Sequence, residues 1–446
     1  MPNELITNCR IVNEGLITES DIRIKDGRIA TIATAGTVSA QPGERITDAK
    51  GRWLFPGLID DQVHFRAPGL THKADIASES RAAVAGGITS YMEMPNVNPP
   101  TLTMALLEEK RQFAAAQSLS NYAFYLGAAN DNIEDIAAAD PQRIAGIKIF
   151  MGASTGNMLV DDPAALAAIF ARAPTIIATH CENSRRIATR FEQAQQQYGD
   201  DIPAAAHAII RDEIACYESS SQAIALAKEH NARLHILHIT TAKELSLFSA
   251  GMGDKQITCE ACAHHLLFDE SDYATLGMRL KCNPAVKSRS DRDAIRQAVA
   301  TGQIDVLATD HAPHLLAEKE LPYAKAAAGL PLVEYALPAF LELVADGVLT
   351  FADVARASAH RVADIFAVRE RGYIREGYWA DLTLVEETAA TASGVRDTVL
   401  AKCAWTPFRD YRFRYRVANT WVNGNCVWAN EKIREGSHGM ALAFDR

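Results

Sequence analysis

The sequence predicts an α/β protein: a (β/α)₈ barrel of the TIM type, with a small β-sandwich domain built from both chain ends. The first observation is a repeat of short apolar runs and Ala-rich amphipathic stretches across residues 55–367, for example PTIIATH before SRRIATRFEQAQQQ. Strand followed by helix, repeated many times, is typical of parallel α/β folds. The second observation is that polar residues follow these runs, at the strand ends that form the catalytic face of such a barrel. A doubly wound sheet is the alternative, although no GxGxxG motif opens any of the helices.

The chain ends have a different pattern, because short alternating strands and turn signals replace the strand–helix repeat. Three dipeptides are hairpin or turn signals: DG at 26–27, KG at 50–51 and NG at 423–424. We therefore predict one β-sandwich domain from residues 1–54 and 368–446, and a barrel from residues 55–367.

The composition sets the broad class of the protein. Of 446 residues, 48% are hydrophobic, which is enough for a large buried core. The net charge is −10 without a basic cluster, which argues against a nucleic acid or an anionic membrane as the main partner. The sequence has no secretory signal and no apolar stretch as long as a membrane span, so we expect a cytoplasmic protein. The eight scattered cysteines indicate reduced thiols and no disulfide framework.

Side chains that can bind metal lie at the ends of five predicted strands. They are His64, Lys148, His180, His238 and Asp310. A single histidine at such a place is usually a hydrogen-bonded structural residue, but three histidines and an aspartate at different strand ends favour a shared metal site. Imidazole nitrogen and carboxylate oxygen suit Zn²⁺, and an incomplete ligand set leaves a position for water.

Lys148 is the unusual member of this set, because an ammonium cannot bind a cation and is costly to bury. In one interpretation it pairs with a carboxylate or with an anionic substrate. In the other, its amine has reacted with CO₂ to give a carbamate, an oxygen ligand able to bridge two metals. Desolvation would favour that reaction by lowering the pKa of the lysine. The sequence does not choose between the two.

Four segments carry a resemblance to a known family. They are DDQVHFRAPG, the MPN at residues 94–96, ATDHAPHLLAEK at residues 308–319 and GYIREGYWADLTLVE near the C-terminus. Together they resemble the class I dihydroorotases of the amidohydrolase superfamily, and the similarity extends over essentially the whole chain. Allantoinases and hydantoinases of this superfamily share the barrel and most of the ligands. The resemblance implies a metal-dependent cyclic amidohydrolase, with dihydroorotase as the first candidate.

The resemblance also implies a role for each metal ligand. His64 would bind the more buried metal, and Asp310 would contact that metal and act as the proton shuttle. His180 and His238 would bind the second metal. Lys148 matches a position that is a carboxylated lysine in dihydropyrimidinases, allantoinases and many dihydroorotases, whereas some class I dihydroorotases place an aspartate nearby. The expected cofactor is one or two Zn²⁺ ions, and N6-carboxylation of Lys148 stays open.

A further set of residues would bind the substrate. The family positions that contact it fall on Arg66, Asn96 and His314 for the carboxylate, on Asn283 for the pyrimidine ring, and on Gly329 in the loop 314–331, which would cover the ring through backbone groups. An arginine suits the carboxylate because its planar fork can bind both oxygens.

One position departs from the family pattern. The family has a His-x-His pair after the first barrel strand, and this pair falls on Gln62 and His64. An amide oxygen is a poorer zinc ligand than imidazole. Three outcomes are open: a binuclear site with Gln62 as a weak or indirect contact, a site with one metal, or an inactive relative. The inactive relative ranks lowest, because the other ligands are all present.

The implied reaction is the reversible cyclisation of N-carbamoyl-L-aspartate to L-dihydroorotate in pyrimidine biosynthesis, with a metal-activated hydroxide as the nucleophile in the hydrolytic direction. The expected partners are this small-molecule substrate and further copies of the chain, in a homo-oligomer such as a dimer. An allantoinase or hydantoinase would share the metal site but not the carboxylate-binding set. A non-catalytic partner of aspartate transcarbamoylase would show no turnover with added Zn²⁺.

Overall fold

The computed structural model describes residues 3–152, 158–389 and 394–446. The strands are β1 Glu4–Asn13, β2 Leu16–Lys25, β3 Arg28–Thr34, β4 Arg45–Asp48, β5 Trp53–Pro56, β6 Leu58–Val63, β7 Ile88–Glu93, β8 Asn121–Phe124, β9 Leu126–Gly127, β10 Ile147–Phe150, β11 Ile177–His180, β12 Leu234–Ile236, β13 Ile257–Cys262, β14 Val306–Ala308, β15 Leu382–Glu387, β16 Tyr415–Val422, β17 Asn425–Ala429 and β18 Lys432–Ile433.

The α-helices are α1 Ile76–Ala85, α2 Met104–Gln117, α3 Ile133–Ala137, α4 Pro163–Arg172, α5 Ser184–Tyr198, α6 Ala206–Ile210, α7 Glu213–Glu229, α8 Ala242–Leu245, α9 Ala263–Leu267, α10 Tyr273–Leu276, α11 Arg289–Ala300, α12 Leu316–Lys319, α13 Ala336–Ala345, α14 Phe351–Ala355 and α15 Arg361–Phe366. Shorter helical segments are the 3₁₀ turns Glu270–Asp272, Gly277–Leu280 and Val333–Tyr335 and the π-helical turn Arg356–His360.

Strands β6 to β14 form a closed parallel barrel, which confirms the predicted fold class. Strands β9 to β14 pair in chain order, and β6, β7 and β8 pair in a second group. Strands β8 and β9 are one barrel strand interrupted at Tyr125, so the two groups meet there. The barrel closes where Val63 bridges to His311, with the His64 amide donating to the His311 carbonyl at 2.7 Å.

Polar caps begin most of the helices that follow the barrel strands. Asp75 accepts the Ser78 amide at 2.8 Å at the start of α1. Similar caps are Thr103 for α2, Asp162 for α4, Asn183 for α5, Asp212 for α7, Thr241 for α8, Ser288 for α11 and Thr350 for α14. Such side chains satisfy amide groups that the first helical turn leaves unpaired. The caps therefore separate each helix from the loop before it, where the functional side chains lie.

Both chain ends contribute to one nine-stranded sheet, in the order β18-β17-β16-β15-β5-β1-β2-β3 with β4 beside β1. This sheet forms the β-sandwich domain of the predicted fold class. The hairpins β2–β3 and β16–β17 turn at the DG and NG dipeptides, as predicted. The KG turn instead joins β4 and β5, and both of these strands pair in parallel with β1.

Strand β1 divides the sheet because its two halves have different neighbours. Its first half pairs with β4 and its second half with β5, and the register shifts between Ile6 and Cys9. Asn8 within this bulge has φ 55°. A bulge bends a strand and increases its twist, which lets one strand belong to two layers.

A buried polar cluster joins the sheet to the barrel. The Asn121 side chain, on β8, donates to Asp381 at 3.1 Å and accepts from the side-chain amide of Asn423 at 2.8 Å. Arg371 forms an ion pair with the same aspartate.

The domain boundaries at 54/55 and 367/368 stay a prediction.

Two expectations from composition can be compared with the described residues. No helix in the described ranges is long and apolar enough to cross a membrane. All eight cysteines are buried and have free thiols.

Candidate active site

A cavity of about 310 Å³ opens at the carboxyl ends of the barrel strands. Its lining includes all eleven residues singled out from the sequence: Gln62, His64, Arg66, Asn96, Lys148, His180, His238, Asn283, Asp310, His314 and Gly329. Phe150, Ala312, Ala327 and Ala328 complete the lining. The structure therefore brings the predicted residues together, from eight segments of the chain, at the face where a barrel holds its active site.

His64 and Asp310 form the first half of the predicted metal set. His64 Nε2 lies 3.2 Å from Asp310 Oδ1. On the other side of the ring, His64 Nδ1 donates to Asn96 Oδ1 at 2.7 Å. Burial lowers the pKa of His64, although the hydrogen bond and charge of Asp310 oppose this. The ring is therefore neutral, with Nδ1 protonated and the Nε2 lone pair directed towards the carboxylate, as a metal ligand requires.

His180 and His238 form the second half of this set. Their Nδ1 and Nε2 atoms lie 3.0 Å apart. Burial, followed by the charges of His180 and Lys148, holds the pKa of His238 well below its usual range. His180 Nε2 donates to Glu182 Oε2 at 3.0 Å, so its Nδ1 remains for the other imidazole or for a cation.

Glu182 is an orienting carboxylate that the sequence analysis missed. Burial alone would raise its pKa, but the charge of Arg211 and the hydrogen bond from His180 outweigh burial and lower the pKa to about 2. A carboxylate that receives the second nitrogen of a ligand histidine fixes the orientation of the ring. The sequence signal that could have identified Glu182 is its position two residues after the predicted ligand His180.

Lys148 lies on β10 and is almost fully buried, at 1% exposure. No carboxylate of the described residues lies within the 4.0 Å ion-pair distance of its amine, which faces the Phe150 ring at 4.6 Å. Burial is the main cause that lowers its pKa to about 8. The described residues therefore provide no carboxylate partner for Lys148. Of the interpretation in which Lys148 pairs with an anion, pairing with an anionic substrate remains.

The donor set fits a divalent metal. Two ligands of one zinc ion, each about 2.0–2.2 Å from it, lie about 3.3 Å from one another. The His64–Asp310 and His180–His238 atom pairs are 3.2 and 3.0 Å apart, close to that spacing. Neutral imidazoles with free lone pairs and a carboxylate are the donors that Zn²⁺ prefers.

Gln62 lines the same cavity, where the family pattern has an imidazole. Its Oε1 atom lies 3.7 Å from the Cys262 thiol, and its side chain is buried at 1% exposure. The amide oxygen is thus present at the cavity wall, and the number of metals stays open.

Three cavity residues have strained backbones. Arg66, His238 and Asp310 have φ of 67°, 41° and 50°, in the left-handed region. Such conformations cost about 1–3 kcal/mol for residues other than glycine and persist where surrounding contacts enforce them. At these strand ends the strain turns the side chains into the cavity.

Arg66 and His314 form the predicted carboxylate-binding part of the cavity. Arg66 is buried, its Nε donates to the Pro313 carbonyl at 3.2 Å, and Nη2 lies 3.1 Å from His314 Nε2. Burial lowers the pKa of Arg66 to about 10, which still leaves it charged at neutral pH. Burial, with the charges of Arg66 and Lys73, lowers the pKa of His314 far below its usual range, so this ring is neutral.

Asn283 and Gly329 also line the cavity. The Asn283 Oδ1 atom is buried and has no hydrogen-bond partner among the described residues. Gly329 has φ 143°, and a Cβ there would lie 2.5 Å from the Ala312 carbonyl oxygen. Only glycine lets the backbone approach this closely.

Two buried groups outside the predicted set also contain potential ligands. Asp61, His235 and Glu260 lie inside the barrel, and His264, His265 and Cys282 lie near its mouth. His265 Nε2 donates to the Pro284 carbonyl at 3.0 Å, so that nitrogen has no free lone pair. The first group connects β13, which contains Glu260, to β6 and β12. The second group connects α9, which contains both histidines, to the segment around Cys282.

A barrel with imidazole, carboxylate and lysine side chains around one cavity at its strand ends has the arrangement of a metal-assisted hydrolase. The comparison of sequences agrees with this class: the Amidohydrolase family matches residues 53–427. The chain belongs to this family and is a cyclic amidohydrolase.

Similar proteins include several dihydroorotases, which confirms the resemblance carried by the four sequence segments. The chain is 34% identical over 436 residues to a dihydroorotase of Halobacterium salinarum, covering 95% of this chain and 97% of the relative. It is 30% identical over 446 residues to an allantoinase of Bacillus velezensis, covering 98% and 97%. Among solved structures, an L-hydantoinase from Arthrobacter aurescens is similar with a TM-score of 0.89 and 26% identity, over 99% of this chain and 100% of the other.

Proposed function

We propose that this chain is a dihydroorotase, which catalyses the reversible cyclisation of N-carbamoyl-L-aspartate to L-dihydroorotate in pyrimidine biosynthesis. The observation that carries the proposal is the environment of Arg66. This buried guanidinium lines the cavity, and no carboxylate of the described residues lies within 4.0 Å of it. A buried cation at a ligand site, with no carboxylate partner among the described residues, favours an anionic ligand, and dihydroorotate has a carboxylate where hydantoins need none.

The proposed substrate orientation uses the Arg66 group together with Asn283 and Gly329. Arg66 binds the two carboxylate oxygens through its fork, and Asn96 adds its Nδ2 because its Oδ1 is occupied by His64. Asn283 contacts the ring with its free amide oxygen. The Gly329 backbone covers the ring, since no side chain separates it from the cavity.

The residues around the scissile amide have distinct roles in this proposal. Zn²⁺ held by His64, His180, His238 and Asp310 would lower the pKa of water and polarise the amide carbonyl. Asp310 accepts the proton of the attacking water and delivers it to the ring nitrogen as the amide bond breaks. In the cyclisation direction the same carboxylate takes the proton from the attacking ureido nitrogen and delivers it to the carboxyl oxygen that leaves as water when the N–C bond forms.

We also propose that Lys148 is carboxylated. Its amine would attack the carbon of CO₂, forming an N–C bond and releasing a proton, and the product would be an anionic oxygen ligand. The unpaired, buried amine with its lowered pKa supports this reaction. Anomalous scattering from a crystal at the zinc edge would count the metals, and the same density would reveal or exclude a carbamate on Nζ.

Substitution of Arg66 tests the substrate assignment. Arg66→Ala should raise KM for dihydroorotate by about 10- to 100-fold, because charged hydrogen bonds to the carboxylate are lost. The KM of Arg66→Lys should lie between those of the wild type and Arg66→Ala. Steady-state kinetics with dihydroorotate, allantoin and hydantoin would be measured in parallel. Arg143→Ala is the control, since Arg143 pairs with Glu108 on the surface. An unchanged KM in Arg66→Ala would contradict the proposal. Faster turnover of allantoin or hydantoin than of dihydroorotate by the wild-type protein would also contradict it.

The proposed assembly is a homo-oligomer such as a dimer. Analytical ultracentrifugation of the purified chain tests this, and a monomer at micromolar concentration would contradict it. A non-catalytic partner of aspartate transcarbamoylase is the rival. It would co-purify with that enzyme and show no turnover after Zn²⁺ addition.

A further inference from the structure

Lys319, at the end of helix α12, is completely buried and donates to three backbone carbonyls. Its Nζ lies 2.6 Å from the Lys281 oxygen, 2.8 Å from the Ala327 oxygen and 3.0 Å from the Gly329 oxygen. An ammonium has three N–H groups, so every donor has one acceptor.

No counter-charge among the described residues explains the burial of this lysine. No carboxylate in the described ranges lies within 4.0 Å of Nζ, and the centroid of the Trp405 ring is 6.0 Å away. A buried ammonium is costly unless all its donors are satisfied. The three carbonyls provide that compensation, which indicates that Lys319 serves to hold them in place.

The three carbonyls belong to two neighbouring segments that contribute to the cavity wall. Ala327 and Gly329 line the cavity from the loop after α12, and Lys281 lies two residues before Asn283, which also lines it. The Gly329 amide also donates to the Lys281 oxygen at 2.9 Å. One ammonium therefore holds these two segments together.

We propose that Lys319 is a positioning residue that fixes the shape of the ring-binding part of the cavity. It acts through the Ala327–Gly329 backbone and through Asn283, and it does not touch the substrate or the metal ligands. This inference rests on the proposed function only in naming the ring of dihydroorotate as the group that is held.

Lys319→Met tests the role, because methionine has similar length and no donors. KM for dihydroorotate should rise about 10-fold or more while kcat changes less, since the loosened cavity loses ring contacts but keeps the metal ligands. Amide hydrogen exchange at Gly329 should become faster by about 10-fold, because its hydrogen bond to Lys281 loosens. The metal content of the purified protein should stay at the wild-type level.

Lys287→Met is the matched control. Lys287 is also buried, and its Nζ donates to Thr240 and to the Ala285 carbonyl, neither of which lines the cavity. This variant should keep the wild-type KM and the wild-type exchange rate at Gly329. If Lys319→Met does not fold, Lys319→Gln, which retains two donors, should show smaller changes in the same direction.

The two proposals fail in different ways. Wild-type KM and wild-type Gly329 exchange in the Lys319 variants would overturn the positioning role. A wild-type protein without dihydroorotase activity would overturn the proposed function, and the exchange measurement together with KM for whichever cyclic amide is turned over would still decide the role of Lys319. A loss of metal in Lys319→Met equal to its loss of activity would also overturn it.

Discussion

Glu260 acts on a predicted metal ligand without lining the cavity. Its Oε1 accepts the His238 amide at 3.0 Å, and its Oε2 lies 3.3 Å from His235 Nε2. That imidazole is also 3.2 Å from Asp61, the neighbour of Gln62. Because His238 has the unfavourable φ of 41°, an acceptor for its amide is needed to keep the ring directed at the cavity.

Removal of the Glu260 carboxylate should therefore weaken metal binding. Glu260→Ala is expected to bind Zn²⁺ about 10- to 100-fold more weakly, the usual effect of losing a residue that orients a ligand. Glu260→Gln should stay close to wild type, since its amide oxygen can still accept the His238 amide. Chelator competition on metal-free protein would measure both.

A buried glutamate elsewhere provides the control for this comparison. Glu244 is bonded to Ser220 and Thr241 and does not line the cavity, so Glu244→Ala should bind Zn²⁺ normally. Equal affinities for Glu260→Ala and wild type would contradict the expected role of Glu260.

Helix α1 shows how a capped element supports barrel closure. Glu79 within α1 pairs with His311 Nε2 at 2.7 Å, and His311 is the residue that bridges to Val63 where the barrel closes. The N-cap residue of this helix, Asp75, also forms an ion pair with Lys402 at 2.7 Å. The start of one helix thus connects the barrel to the C-terminal part of the chain.

Loss of the Asp75 cap should destabilise the fold moderately. Asp75→Ala is expected to lower the free energy of unfolding by about 1 kcal/mol, because the Ser78 amide loses its acceptor. Urea unfolding followed by circular dichroism measures this change. Glu109→Ala is the control, since Glu109 is exposed within α2 and is expected to have a near-zero effect. A wild-type unfolding midpoint for Asp75→Ala would show that the cap contributes nothing.

At the scale of the whole molecule, the barrel interior contains a fully buried group of ionisable side chains. Burial alone would lower the pKa of His235, but hydrogen bonds and charges from Asp61 and Glu260 raise it to about 9. Burial and the charge of Asp61 raise the pKa of Glu260 to about 8, against the opposing effect of His235. Both groups bind protons more tightly in the folded state than in the unfolded chain.

Stability should therefore decrease as the solution becomes more alkaline. The contribution of His235 is fully present below its unfolded pKa of about 6.5 and is lost as the pH rises through about 9. The contribution of Glu260 is fully present below its unfolded pKa of about 4.5 and is lost as the pH rises through about 8. In metal-free protein, the free energy of unfolding should fall between about pH 4.5 and 9, by at most about 1.4 kcal/mol per pH unit for each proton.

Comparison of two histidine variants checks this origin. His235→Gln should show a much flatter curve above about pH 8 in urea titrations, because the proton held by His235 is the one that still differs between the folded and unfolded states there. His72→Gln should keep the wild-type slope, since the His72 side chain is 55% exposed. The same slope in His235→Gln as in wild type would place the proton uptake elsewhere.

Local sequence patterns were sufficient for the strand–helix repeat, the DG and NG hairpins and the strand-end positions of residues such as His180 and Asp310. These features depend on neighbouring residues, because side-chain periodicity and turn conformation are properties of short segments. A position at the end of a parallel strand also implies a common face, so five potential metal ligands from distant segments could be assigned to one cavity before any distance was known. The resemblance to dihydroorotases added the other six residues of the cavity that were named from the sequence.

Only the tertiary structure decided how those side chains are held. The acceptor for the His238 amide, the partner of His311 on α1 and the three carbonyls around Lys319 all come from residues that closure of the barrel brings together. Hydrogen bonds of this kind depend on distances of a few tenths of an ångström between remote segments, and no local pattern encodes such distances. The sequence by itself therefore determined which chemical groups meet at the barrel mouth, and packing determined their orientation and their protonation.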